Sequence, residues 1–115
     1  MNKDSKGFGF GINKMKQFAA ALQKAQEMQE NAKKLQEELE QMEIEGLSEG
    51  ELVKVVMSGN QEPLRVEIDP TALAKSPQEV AELVTAAMKD AYTKSKANME
   101  QRMEELTSSL NIPGM

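Results

Sequence analysis

The sequence has no cysteine, no histidine and no tryptophan, and its aromatic side chains are three Phe and one Tyr. Each absence removes a class of chemistry. Without Cys there is no disulfide and no thiolate ligand, and without His there is no imidazole metal ligand, triad or imidazole acid-base pair. Catalysis would fall to Asp, Glu, Lys, Ser, Thr and Tyr92. No run approaches the roughly 18 apolar residues of a membrane span, and the first residues lack the apolar region of a signal peptide. These features predict a cytoplasmic protein with no membrane partner. The 115 residues suit one small domain, but with 39% apolar residues and 3% aromatics its core rests on Leu, Val, Ile, Ala and nine Met. Such a core is thin for a monomer.

Charge is present in both signs but is segregated. The net charge is −5, which taken alone disfavours a polyanionic partner. Residues 1–36, however, hold seven Lys against Asp4, Glu27 and Glu30, a net of +4, whereas residues 37–51 hold seven Glu and no base. Which patch is presented therefore decides the partner.

Residues 1–11 contain Gly7, Gly9 and Gly11 without apolar periodicity and read as a flexible basic tail. The glycines fit neither dinucleotide nor phosphate-loop spacing. From Ile12 the pattern turns helical: Met15, Phe18, Leu22, Ala25, Met28, Ala32, Leu35, Leu39 and Met42 recur every three or four residues. That stripe is a coiled-coil-like seam, overwound where two spacings of three adjoin at Ala25 and Met28. With no Pro or Gly until Gly46, the spacing predicts a helix over 12–43 that projects from the domain and needs another chain against its seam. A three-stranded antiparallel meander is expected over 43–69. Its first strand lies near Ile44 to Leu47, its central strand is Leu52 to Met57, and its third alternates Leu64, Val66 and Ile68 inward with Arg65, Glu67 and Asp69 outward. Asp69-Pro70 starts a short helical turn at 71–75. Ser76 and Glu79 have capping-box spacing for a final helix over 77–108, whose first half covers the sheet and whose second half projects with Met99, Met103, Leu106 and Leu110. Residues 109–115, ending Ile112-Pro113-Gly114-Met115, read as a tail. The fold class is α+β, a two-layer α-β(3)-α protomer.

Along this order the residues resemble the YbaB/EbfC family of bacterial nucleoid-associated proteins over nearly the whole chain. The likeness rests on KAQEMQ at 24–29, LVKV at 52–55, Ser58-Gly59-Asn60, RVEIDP at 65–70, ELVTAAMKDA at 82–91 and the terminal IPGM. The resemblance implies an intertwined, tweezer-like homodimer that binds duplex DNA and alters its conformation, with no enzymatic activity. The chain departs from some relatives at Thr93-Lys94-Ser95-Lys96, where they carry adjacent Arg.

The candidate phosphate contacts are Lys14, Lys16, Lys24, Lys33 and Lys34 on the first helix and Lys89, Lys94, Lys96 and Arg102 on the last. An ordinary solvated face is the competing reading, and Glu27, Glu37 and Glu38 stand at spacings that would neutralise Lys24 and Lys34 locally. The expected dimer contacts are Leu22, Met28, Leu35 and Leu39 on the seam, Val53, Val55 and Met57 on the central strand, and Met99 and Met103. The Gln-rich first helix suits a wet face better than base readout. The carboxylates of 37–51 follow no cation-loop pattern, so no metal is expected. Glu67 and Asp69 beside Arg65 read as a surface ion cluster with Asp69 capping the next turn, so no catalytic residue, cofactor or small-molecule substrate is nominated. A coiled-coil module that docks proteins without DNA is the alternative function.

Overall fold

A computed structural model of the protein describes residues 2–109, with the side chains of residues 11–108. In chain order it contains helix α1 (Asn2–Gln41), strand β1 (Ile44–Leu47), a 3₁₀ turn (Glu49–Glu51), strand β2 (Val53–Met57), strand β3 (Pro63–Ile68), a second 3₁₀ turn (Pro70–Ala74) and helix α2 (Pro77–Ser109). The chain divides into two compact units, Met1–Lys33 and Lys34–Met115, with the division inside α1.

The first unit is the leading part of α1. It starts at Asn2 rather than at Ile12, so residues 2–11, expected as a tail, are helical. Glycine costs about 1 kcal/mol in a helix, but extending an existing helix adds one hydrogen bond for each residue fixed, and the glycines do not stop it. Ile12, Met15, Phe18, Leu22 and Met28 are all exposed there. At the other end α2 runs to Ser109, and the expected tail beyond it lies outside the described residues.

The second unit holds the sheet, in the order β1-β2-β3 with both pairs antiparallel. β1 pairs Gly46 with Val55, and β2 pairs Val55 with Val66, so these three share a face. Helix α2 packs on that face. Ala87 and Ala91 are fully buried against Val53, Val55 and Met57, with Leu83 and Val84 alongside. Gly46 permits the approach, since a Cβ there would fall on the amide nitrogen of Ala91 and the carbonyl oxygen of Ala87.

Of the residues expected at a dimer interface, Val53, Val55 and Met57 are buried within their own chain, as are Leu35 and Leu39. Leu64, Val66 and Ile68 do lie on the core side but stay 41–47% exposed. Helix α2 packs mainly along β1 and β2. Met88, expected against the sheet, is likewise exposed.

Buried serines fix the ends of the sheet. Ser48 Oγ accepts the Val53 amide at 2.9 Å. Ser95 Oγ, on α2, donates to the Ser58 carbonyl at 2.6 Å and accepts the Gln61 amide at 3.2 Å, tying the helix to the β2-β3 turn. The Gly59 amide donates to the Leu39 carbonyl at 2.7 Å, which brings the last turn of α1 onto the same turn. The predicted caps form as well: Asp69 accepts the Thr71 amide at 2.9 Å and Ser76 accepts the Glu79 amide at 3.2 Å.

Replacing Gly46 by Ala forces β1 and α2 apart along their backbones. The expected loss is about 3 kcal/mol, the upper range for overpacking, read as a fall in the urea midpoint with an unchanged slope. A Gly46→Ala variant as stable as the parent would contradict this packing.

Candidate nucleic-acid interface

A basic side chain can meet a phosphate only if it reaches solvent and is not already held by a carboxylate. In the first unit Lys14, Lys16, Lys24 and Lys33 are exposed on α1. At about 100° per residue they point around the helix rather than along one line. Such a segment presents positive charge in several directions. Lys34, opening the second unit, is exposed beside Glu37, Glu38, Gln41 and Met42.

The local pairing expected for Lys24 and Lys34 is absent: among the described residues neither has a carboxylate within 4.0 Å. Glu38 turns instead to Arg102, which also lies 3.8 Å from Glu105. Arg102 is thus half-buried in a bridge between the end of α1 and α2. Lys94 is held in the same way, 2.8 Å from Asp90 one helical turn earlier. Lys89 and Lys96 are exposed and unpaired among the described residues. They stand seven residues apart, about two turns, and so share the outer face of α2, opposite Ala87 and Ala91.

Lys54 and Arg65 lie on the far face of the sheet. Lys54 reaches Glu45 at 3.5 Å, and Arg65 bridges Glu43 and Glu67, the latter at 3.7 Å. The Glu43 carboxylate raises the Arg65 pKa above its ordinary value, through their hydrogen bond first and their charges second. Asp69 caps its turn and does not join this cluster; the Thr71 hydroxyl and amide lower its pKa. Of the expected dimer contacts, Leu22, Met28 and Met103 are exposed and Met99 is half-buried.

A model of the YbaB/EbfC DNA-binding family matches residues 15–110, nearly the whole described chain. The chain belongs to that family. Among its relatives, a nucleoid-associated protein of Cyanothece is 66% identical over 95% of this chain and 96% of its own length. A nucleoid-associated protein of Thermosynechococcus vestitus is 63% identical over 95% of each chain, and one of Nostoc is 62% identical over 99% of each. A solved structure of an uncharacterized protein from Helicobacter pylori shares the fold, with a TM-score of 0.65 at 19% identity over 72% of this chain and 88% of that one.

Sequence reasoning missed two structural uses of charged residues. The Arg102 bridge to Glu38 spans 64 positions and leaves no local signal. Asp90 was legible in part, because it stands one turn before Lys94. What spacing does not reveal is that its carboxylate also accepts the Leu47 amide of β1 at 3.0 Å. Lys94 first and then that amide lower the Asp90 pKa below the ordinary 3.8. A carboxylate depressed on folding contributes stability that is present above its unfolded pKa and lost as pH falls through the folded value. Asp90→Asn should therefore lower Tm at pH 7, with the gap to the parent closing as both are taken to about pH 2. A gap of constant size across that range would show that the Asp90 charge contributes nothing.

Proposed function

We propose that this chain is a nucleoid-associated protein of the cytoplasm. In this reading it binds duplex DNA as a homodimer with low sequence specificity and alters the conformation of that DNA. The observation that carries the reading is the sorting of its bases. Those on the sheet and Arg102 are spent on the protein's own carboxylates, whereas Lys16, Lys24, Lys33 and Lys34 on α1 and Lys89 and Lys96 on α2 have no such partner among the described residues. Membership of a DNA-binding family gives that surplus charge its ligand.

Lysine ammonium groups neutralise phosphates and release condensed counterions, a term that is indifferent to base sequence. Pairing of two chains doubles each basic patch, which lets a protein of net charge −5 hold a polyanion. The Glu-rich residues 37–51 repel the same phosphates, so the duplex is confined to surfaces away from them. The effect on DNA is architectural, by charge neutralisation and shape, with no bond made or broken in the nucleic acid. Homodimerisation is supported by the apolar surface that the second unit leaves uncovered at Leu64, Val66, Ile68, Met88 and Tyr92.

Titration with duplex DNA at low and at physiological salt tests the reading. The parent should bind more weakly as salt rises. Lys16→Ala/Lys24→Ala and Lys89→Ala/Lys96→Ala should each reduce affinity at low salt. Each should also flatten the log-log salt dependence, by about 0.9 in slope for every phosphate no longer neutralised. Lys75→Ala, which removes a partner of Glu79, should do neither. No binding at low salt, or affinity unchanged by salt, would overturn the proposal and favour a protein-docking module.

A further inference from the structure

We propose that the leading part of α1, over residues 12–24, lies on an anionic phospholipid surface, with the face of Ile12, Met15, Phe18 and Leu22 among the acyl chains and its lysines at the headgroups. This contact goes beyond DNA binding and does not depend on it.

The face is set by helical spacing. At about 100° per residue, Ile12, Met15, Phe18, Ala19 and Leu22 fall within an arc of about 120°, and no polar residue from 12 to 25 enters that arc. The stripe runs about 15 Å along the axis. None of it is covered. Met15 is 72% exposed, Phe18 67%, Leu22 50% and Ile12 38%. Met15, Phe18, Ala19 and Leu22 line one shallow recess. Further along the same stripe Leu35 and Leu39 are buried, so the open part is confined to the first unit.

Charge marks the same stretch. Between Asp4 and Glu27 there is no acidic residue, although the chain has 19, whereas Lys14, Lys16 and Lys24 all fall there. Lys14 and Lys16 adjoin Met15, at the middle of the stripe, and so stand about 100° to either side of its midline. Lys24 lies at the back. A lysine stem can follow an apolar surface while its ammonium group stays in water. The stripe therefore has positive charge along both margins and no carboxylate beside it.

That combination selects the occupant. A second copy packed stripe against stripe would bring lysine margins together, with no carboxylate in the stretch to answer them. Duplex DNA would satisfy the lysines, but its grooves present base donors and acceptors and no apolar bed of that length. The surface of an anionic bilayer supplies both parts, headgroup charge at the level of the lysines and acyl chains beneath the stripe. The expectation of no membrane partner follows from the lack of a spanning run. Among the described residues no helix is long and apolar enough to cross a membrane. A helix that lies flat in the interface needs only one apolar face.

Sedimentation of the full chain with vesicles tests the contact. At low salt, vesicles of phosphatidylglycerol should carry the protein down and vesicles of phosphatidylcholine should not. Met15→Gln/Phe18→Gln should lower the affinity for phosphatidylglycerol vesicles about tenfold or more. Because these side chains are exposed, the same variant should keep the parent's Tm and its affinity for duplex DNA. The chain has no Trp, so an introduced one reports on each face. Emission from Phe18→Trp should shift to the blue on adding phosphatidylglycerol vesicles, and that from Gln17→Trp, on the opposite face, should not. A protein that binds DNA but not these vesicles overturns the membrane contact, leaves the stripe to an acidic protein groove and leaves the DNA reading standing. Vesicle binding indifferent to Met15→Gln/Phe18→Gln overturns it as well, since charge alone would then suffice. Loss of DNA affinity in that variant would assign the stripe to the duplex, and a fall in its sedimenting mass would assign it to a second copy; either result overturns the proposal.

Discussion

The structure depends on one close contact, the seat of α2 on β1 and β2 where Gly46 meets Ala87 and Ala91. Because all three residues are small, helix and strand approach almost backbone to backbone, and the core of Val53, Val55 and Met57 closes without any aromatic ring. The same contact fixes the lateral position of the helix. Sitting mainly over β1 and β2, it leaves Leu64, Val66 and Ile68 of β3 partly exposed. The open strand is the consequence of how the thin core is closed.

That geometry also sorts the charges. The far face of the sheet is neutralised within the chain by Lys54 and Arg65 against Glu43, Glu45 and Glu67, and Arg102 bridges to Glu38. Each of these pairs reaches solvent and contributes little stability, but each removes a cation from the surface field. What remains lies on α1 and on the outer face of α2. A protein with excess acid can therefore display base where its helices face solvent, provided that two copies combine their fields. The weak stability of the surface pairs and the exposure of the helix lysines are two results of one distribution of charge.

Much of this was legible in the sequence because it is local. Strict alternation from Leu64 to Ile68, the Asp69-Pro70 and Ser76 to Glu79 caps, and the glycine turns between strands placed every strand and the start of α2 to within about a residue or two. Helical periodicity marked α1 but not its beginning, since glycines that break a helix in isolation are carried by a long one. Alternation also showed that Leu64, Val66 and Ile68 share the core face. It could not show that the helix stops short of them, because the lateral position of α2 is set by Gly46, which is remote from Ala87 and Ala91 along the chain. For the candidate interface, the lysines were visible as residue types. Which of them stay available was not, because Arg102 finds Glu38 and Asp90 finds Leu47 only once the chain has folded.

The central claim is that folding holds the bases of the sheet against carboxylates and leaves those of the helices for DNA, and lysine acetylation read residue by residue with and without duplex DNA tests it most directly. Bound DNA should slow the acetylation of Lys16, Lys24, Lys33, Lys34, Lys89 and Lys96 and leave that of Lys54, held by Glu45, unchanged. Protection of Lys54 equal to theirs, or no protection of the helix lysines in a complex that forms, would contradict the account.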